Sequence, residues 1–83
     1  MPGKRQIPDR LGEKLRIVRE RLGYSFAEMA AKLSDEDASV PRHYIHRYEN
    51  NQSDPTYVIL LRYSRLSKVK MEIFADDKLD LPK

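Results

Sequence analysis

The segment between Leu11 and Leu22 places its apolar residues at the spacing of a single helix face. These residues stand at positions i, i+4, i+7 and i+11, and they are Leu11, Leu15, Val18 and Leu22. Asp9 is a candidate N-cap, and Gly23 can take the left-handed conformation that often ends a helix. The pattern predicts an amphipathic helix over residues 9–22, which must bury its apolar side against other elements.

Two shorter helices are predicted next. Ser25 and Glu28 have the spacing of a capping box, in which side chains and backbone amides satisfy one another at a helix start. The second helix is predicted over residues 25–33, with a buried stripe of Phe26, Met29, Ala30 and Leu33. The third is predicted from Pro41 to Asn50, since proline fits a first turn and asparagine tolerates the left-handed conformation. Its apolar positions are Val40, Tyr44 or Ile45, and Tyr48.

Two more helices complete an all-α chain. The fourth is predicted over residues 56–67, with Tyr57, Leu60, Leu61 and Ser64 on one side and Val58 and Ile59 adding apolar surface. The fifth runs from Lys70 to Ala75 and presents Met71, Ile73 and Phe74. Residues 34–39 form a polar loop, and no element is predicted for residues 76–83. We expect a flexible basic arm over 1–8, one domain over 9–75 and an acidic tail over 76–83.

Composition excludes several classes of protein. The 83 residues include no cysteine, so disulfides and thiolate metal sites are excluded. The start of the chain is polar and basic, unlike a secretory signal, and no run approaches the ~18 apolar residues of a membrane span. We therefore expect a cytoplasmic protein. Because a domain this small has a modest core, oligomerisation is an expected source of stability.

The charge distribution indicates a polyanionic partner. Residues 1–33 hold eight Lys/Arg against four Asp/Glu, and residues 38–70 hold six against two. An acidic run, Asp35 to Asp37, separates these basic segments, and residues 71–83 hold four acids against two lysines. Basic segments of this kind suit nucleic acid, although a similar balance occurs in many proteins that never bind it.

Motifs over residues 9–75 resemble Cro/cI-type (Xre) repressor domains. They are Leu-Gly-Glu-Lys-Leu-Arg-x-x-Arg-Glu at 11–20, Gly-Tyr-Ser at 23–25, Glu-Met-Ala-Ala-Lys-Leu at 28–33, Ile-His-Arg-Tyr-Glu-Asn-Asn at 45–51, Pro-Thr-x-x-x-Leu-Leu at 55–61 and Val-x-Met-x-x-Phe at 69–74. The resemblance implies a five-helix, repressor-like helix-turn-helix domain. It also implies a small transcriptional regulator of bacterial or phage type, a repressor that binds double-stranded DNA as a homodimer.

The sequence departs from the family at two places. Phe26 stands where the family usually has a glutamine that binds a phosphate, so that contact is lost or replaced by Ser25. The turn between helices two and three is lengthened by about five residues and includes three acids. Either this loop points away from DNA or the mode of binding has changed. We favour the first, because the segments on both sides fit the family.

The third helix has a donor-rich face that does not depend on the resemblance. An α-helix fits the major groove, where arginine paired with guanine is the commonest specific contact. With Ile45 and Tyr48 buried, no acid faces outward. The resemblance implies base contacts from Arg42, His43 and Arg47, with His46 beside them, and phosphate contacts from the loop that follows. The predicted DNA-binding residues are Ser25, Arg42, His43, His46, Arg47, Asn50, Asn51 and Gln52.

Alternatives remain for several of these residues. His43 and His46 have a spacing that suits a metal, but no third ligand lies at motif spacing, so we predict no metal or cofactor. The loop after the third helix could be an ordinary polar turn. The basic arm, with Lys4, Arg5 and Arg10, either follows the DNA or is a disordered tail. The resemblance implies that Arg19 and Glu49 form a structural pair.

Three other classes of function compare with DNA binding. RNA binding is not favoured, because the sequence lacks the exposed aromatic stacking platform that single strands need. An enzyme is not expected, because no nucleophile–base arrangement, glycine-rich phosphate loop or paired carboxylates are present. A protein-interaction module, such as an antitoxin, remains the alternative on the same fold. The apolar residues proposed for a dimer interface are Val58, Ile59, Met71 and Ile73, since they cannot all enter one small core.

Overall fold

Five helices follow one another in the computed structural model, which describes residues 7–36 and 39–83. They are α1 (Leu11–Leu22), α2 (Phe26–Leu33), α3 (Arg42–Glu49), α4 (Tyr57–Ser67) and α5 (Met71–Ala75). No strand occurs in these two ranges, so the predicted all-α fold with five helices is confirmed. None of these helices is long and apolar enough to cross a membrane.

The core lies where the five helices meet. α3 packs against both α1 and α2, while α4 and α5 pack on the other sides of α1. The side chains buried most completely include Leu11, Leu15, Val18, Met29, Leu33, Ile45, Tyr63 and Phe74. Because α3 contributes to this shared core along one side only, its other side is left to solvent.

The start of α1 differs from the prediction. The helix begins at Leu11, and its N-cap position is Arg10, which makes no side-chain cap hydrogen bond. The predicted N-cap, Asp9, is therefore wrong. The cap comes from the far end of the chain, where the Asp77 carboxylate accepts hydrogen bonds from the backbone N–H groups of Asp9 and Arg10, each at 2.9 Å. Local sequence spacing cannot reveal a cap supplied from 67 residues away.

The segment 76–83, for which no element was predicted, packs back onto the start of α1. The Arg10 guanidinium donates to the backbone oxygen of Asp77 and to the Asp80 carboxylate, each at 2.8 Å. Leu81 is partly buried against the core. Arg10, which was grouped with the basic arm, is thus held by the acidic tail. Lys4 and Arg5 of that arm lie outside the described residues.

Substituting Asp77 with asparagine is expected to lower the melting temperature at neutral pH. The hydrogen bonds from the Arg10 and Asp9 amides hold the pKa of Asp77 below its ordinary value. A carboxyl whose pKa folding depresses contributes stability above its unfolded pKa and loses it as pH falls through the folded pKa. The difference between wild type and Asp77→Asn should therefore shrink below about pH 4. Thermal melts followed by circular dichroism across this pH range measure it.

Asp80→Asn is the matched control for this experiment. The Asp80 side chain is 81% exposed in its ion pair with Arg10, and exposed pairs contribute little. Its loss should hardly change the melting temperature. An effect equal to that of Asp77→Asn would contradict the capping role assigned to Asp77.

A buried lysine links α1 to α5, and the sequence analysis did not identify it. The Lys14 ammonium donates to the backbone oxygens of Ile73 at 2.7 Å and Asp76 at 3.0 Å, at the C-terminal end of α5. Desolvation by burial lowers the pKa of Lys14. Lys14 lies three residues after Leu11 and four before Val18, so helical spacing already placed it on the apolar face. Lysine is fully buried almost only when it is paired in this way.

The lengthened turn between α2 and α3 is tied to α4 at its beginning. Arg62 of α4 forms an ion pair with Asp35, and it donates a 2.7 Å hydrogen bond to the backbone oxygen of Leu33. The Ser34 hydroxyl accepts from the backbone N–H of Val40 at 2.8 Å and so spans the turn. Glu36 is exposed, and Asp37 lies outside the described residues. The first acidic residue of the turn is therefore held against α4.

Candidate nucleic-acid interface

The two sides of α3 differ in burial. Ile45 and Tyr48 are buried in the core, whereas Tyr44 is exposed, so Ile45 is the apolar position of the two that were considered. The exposed residues of α3 that were predicted to contact DNA are Arg42, His43, His46 and Arg47. No acidic side chain lies among them. The structure therefore brings four hydrogen-bond donors or potential donors onto one solvent-facing side of a single helix.

Arg19 of α1 forms a salt bridge with Glu49, the last residue of α3. Its Nε donates to Glu49 Oε2 at 2.7 Å, and its Nη2 donates to Glu49 Oε1 at 3.1 Å. The two side chains are only 14% and 4% exposed. The hydrogen bonds that Arg19 donates to the Glu49 carboxylate raise the pKa of Arg19. The structure thus places the predicted pair in bidentate contact, where it fixes α3 relative to α1.

A second attachment joins the end of α3 to the start of α1. Asn51, which has a left-handed backbone with φ of 56°, accepts from the Gly12 N–H at 2.9 Å and donates to the Asp9 backbone oxygen at 2.9 Å. A Cβ on Gly12 would lie 2.5 Å from the Glu49 backbone oxygen. Both polar ends of the Asn51 side chain are therefore used within the fold, where they position the end of α3. Asn51 is also exposed, and its contact with DNA stays a prediction.

Asn50 and Gln52 flank this attachment and remain exposed. The Asn50 side chain donates to the His46 backbone oxygen at 2.8 Å, which covers one carbonyl at the end of α3. The Gln52 backbone N–H donates to the Arg47 backbone oxygen at 2.9 Å. All three predicted phosphate-contacting residues after α3, Asn50, Asn51 and Gln52, thus lie at the surface, next to its exposed side.

The start of α2 carries the predicted capping box. The Ser25 hydroxyl accepts from the Glu28 N–H at 3.1 Å, and the Ser25 N–H donates to the Glu28 carboxylate at 2.9 Å. Hydrogen bonds from the backbone N–H of Ser25 and from its side chain hold the pKa of Glu28 below its ordinary value. The Ser25 amide and hydroxyl are consequently both engaged with Glu28. The Phe26 and Ala27 amides open the helix, where no preceding turn supplies an acceptor.

Phe26 was predicted in the buried stripe of α2, and that prediction is wrong. The residue is 36% exposed, because it lies at the first position of the helix and the neighbouring helices do not cover it. The Arg19 guanidinium carbon lies 4.4 Å from the ring centroid, and the His46 ring meets it edge-on at 5.7 Å. The aromatic ring therefore forms part of the surface between α2 and α3.

A groove runs between the start of α2 and the exposed side of α3. Its volume is about 420 Å³, and it is lined by Ser25, Phe26, Ala27, Arg42, His43 and His46. Four of these six residues were predicted to contact DNA. We call this feature the α2–α3 groove.

Within the described residues, no group of three or more His, Asp or Glu side chains is arranged to hold a metal ion.

The residues proposed for a dimer interface separate into two sets. Val58 is 50% exposed, and the neighbouring Tyr57 is 67% exposed. Ile59 is buried and belongs to the core, while Met71 and Ile73 are partly buried against it. The inclusion of Ile59 in a surface is therefore wrong, because consecutive residues of a helix face different directions.

These elements together form a helix-turn-helix arrangement, in which α2 and α3 are backed by α1 and followed by α4 and α5. Residues 10–71 match the family model described as a helix-turn-helix domain. Since the match covers more than half of the chain, the protein belongs to this family, consistent with its resemblance to Cro/cI-type regulators. No match was found among the curated proteins or the solved structures.

Proposed function

We propose that this protein is a small transcriptional regulator, a repressor, that binds double-stranded DNA sequence-specifically by inserting α3 into the major groove. The observation that carries the proposal is the exposed, acid-free side of α3, with Arg42 and Arg47 near its two ends. Arginine can donate two parallel hydrogen bonds to guanine, a contact that gives about 1–3 kcal/mol of discrimination. Each half-site is therefore expected to contain at least one guanine.

Phosphate contacts would come from the elements beside α3. The start of α2, next to Ser25, offers the first two amides of the helix, and helix N-termini favour anions. Asn50 and Gln52 offer side-chain donors at the other end of α3. Such contacts orient the helix without specifying a sequence. The ion pair between Arg62 and Asp35 supports a path along α4, instead of along the DNA, for the beginning of the acidic turn.

A homodimer would join two such domains through α4. The exposed Val58 and Tyr57 form an apolar surface that a second copy could cover. Met71 and Ile73 are partly exposed and could extend it. In a two-fold dimer, the two α3 helices would enter successive major grooves about 34 Å apart. The expected binding site is therefore a pseudo-palindrome.

Selection of bound duplexes from a random library tests the proposal. We expect enrichment of sites with two inverted, guanine-containing half-sites one helical turn apart. Affinity for the selected site should fall with salt, with a logarithmic slope near −0.9 for each phosphate contact. Absence of any enriched sequence would exclude the sequence-specific regulator, and enrichment of single half-sites would exclude the dimer.

Arg47→Ala is expected to reduce the preference for the selected site over random DNA by a factor of about 5–150, which corresponds to about 1–3 kcal/mol. The reason is that the variant loses a donor to a base edge while the core side of α3 is unchanged. Fluorescence anisotropy with both duplexes at one salt concentration measures the preference. Arg65→Ala is the control, since it removes the same charge from an exposed position of α4. Equal losses of preference in both variants would argue against base contact by Arg47.

The protein-interaction module remains a second candidate, because Tyr57 and Val58 are adjacent and together expose apolar surface on α4. In this alternative, the surface on α4 binds a different protein and DNA binding is secondary. The salt dependence of DNA affinity distinguishes the two candidates. A protein-interaction module would show neither the steep salt slope nor the Arg47 effect.

A further inference from the structure

The α2–α3 groove contains a large apolar side chain among hydrogen-bond donors. Phe26 and Ala27 form one wall, and Arg42, His43 and His46 form the other. None of the residues that line the groove is acidic. A polyanion could therefore approach the groove, but the Phe26 ring cannot donate a hydrogen bond to a phosphate.

The Phe26 ring is held in a defined position. Arg19 lies over the ring at 4.4 Å from its centroid, and Arg19 is itself fixed by its bidentate contact with Glu49. His46 of α3 meets the ring edge-on at 5.7 Å. These contacts leave the residue 36% exposed at the groove. The groove thus presents a preorganised apolar surface whose position relative to α3 is set by α1.

This surface matches one chemical group of the DNA major groove. Of the groups that unmodified base pairs present there, the 5-methyl group of thymine is the only methyl group, and an aromatic side chain can pack on it. Phe26 touches His46, which belongs to the side of α3 that would face the base edges. We propose that Phe26 is a specificity-determining residue that packs on the 5-methyl group of one thymine in each half-site. This inference rests on the proposed function.

Deoxyuridine tests the proposal, because it pairs as thymine does but lacks the methyl group. In the selected duplex, each thymine is replaced singly, and the affinity of the full-length protein is measured at one salt concentration. At one position in each half-site, the replacement should weaken binding about fourfold, the effect of burying one methyl group. At that position, Phe26→Ala should bind the thymine and deoxyuridine duplexes equally, whereas Phe26→Leu should retain part of the difference.

Leu79→Ala is the matched control, since Leu79 is 37% exposed and lies in the C-terminal segment, away from the groove. It should retain the wild-type ratio between the two duplexes. Each ratio compares the affinities of one protein for the thymine and deoxyuridine duplexes. Because partial unfolding lowers both affinities by the same factor, the ratio still reports on the methyl contact.

A second experiment distinguishes thymine from 5-methylcytosine, which carries a methyl group at the same ring position. At the sensitive position, a guanine pair with cytosine is compared with one containing 5-methylcytosine, and each is compared with thymine. Thymine should bind more tightly than either. Tighter binding of 5-methylcytosine would overturn the assignment to thymine.

The remaining outcomes distinguish this inference from the proposed function. If a selected site exists but no deoxyuridine replacement weakens binding, the role of Phe26 is excluded and the regulator stands. The same holds if Phe26→Ala retains the wild-type sensitivity. If no duplex is enriched, both proposals fail.

Discussion

Glu49→Ala is expected to lower the free energy of unfolding by about 3–5 kcal/mol. The substitution leaves the Arg19 guanidinium, which is only 14% exposed, without its bidentate partner. A stranded buried charge costs far more than the intact pair contributes. Arg19 also lies over Phe26, so its displacement would disturb the groove as well as the contact between α1 and α3. Urea denaturation followed by circular dichroism measures the loss.

Two further variants test whether the loss of stability comes from the burial of the Arg19–Glu49 pair and not from the loss of an acidic charge as such. Glu20→Ala removes the partner of Arg16 in an exposed pair with 3.7 Å between the charged atoms, and it should cost at most about 0.5 kcal/mol. The double variant Arg19→Met with Glu49→Leu replaces both charges with apolar side chains and should recover much of the lost stability. A Glu49→Ala variant no less stable than Glu20→Ala would contradict a structural role for the buried pair.

Gly12→Ala is expected to destabilise the protein by about 1–3 kcal/mol, although alanine is the better helix former by about 1 kcal/mol. The added methyl group would lie 2.5 Å from the Glu49 backbone oxygen and 2.7 Å from Asn51 Oδ1. Backbone cannot rotate away as a flexible side chain can, so α1 would have to separate from the end of α3. The free energy of unfolding from urea titration measures the change.

Gly23 is the control for this prediction, because it is required for a different reason. Its φ is +76°, and nothing lies within 4 Å of the position a Cβ would take. Asparagine tolerates this conformation, as Asn51 does, so Gly23→Asn should change stability little. Gly12→Asn should be at least as damaging as Gly12→Ala. A gain in stability on Gly12→Ala would mean that helix propensity outweighs the close approach.

The features that the sequence predicted correctly depend on neighbours along the chain. The capping box at Ser25 and the left-handed Gly23 after α1 are both set by residues within one helical turn. The burial of Ile45 and Tyr48 follows from helical spacing in the same way. The exposed side of α3 could therefore be derived before its position in the fold was known.

The features that escaped prediction depend on residues distant in sequence. Asp77 caps α1 from 67 and 68 residues away, and Lys14 binds backbone oxygens 59 and 62 residues away. The spacing of apolar residues along a helix also does not show which of its turns are covered by neighbouring helices. Phe26 continues the apolar stripe of α2 but lies at the end of the helix that no other helix covers. For this reason the spacing wrongly predicted that Phe26 is buried, whereas it lines the α2–α3 groove.

The way α3 is held has a consequence for how new binding preferences could evolve. The contacts of α3 with α1 are made by its last residue, Glu49, and by the residues on its buried side. Asn51, two residues after the helix, adds a hydrogen bond to α1. Arg42 and Arg47 are exposed and take no part in these attachments. Surface substitutions of this kind usually change stability by less than about 0.5 kcal/mol. If α3 reads DNA as proposed, substitutions at Arg42 and Arg47 would change the preferred sequence and leave these attachments in place.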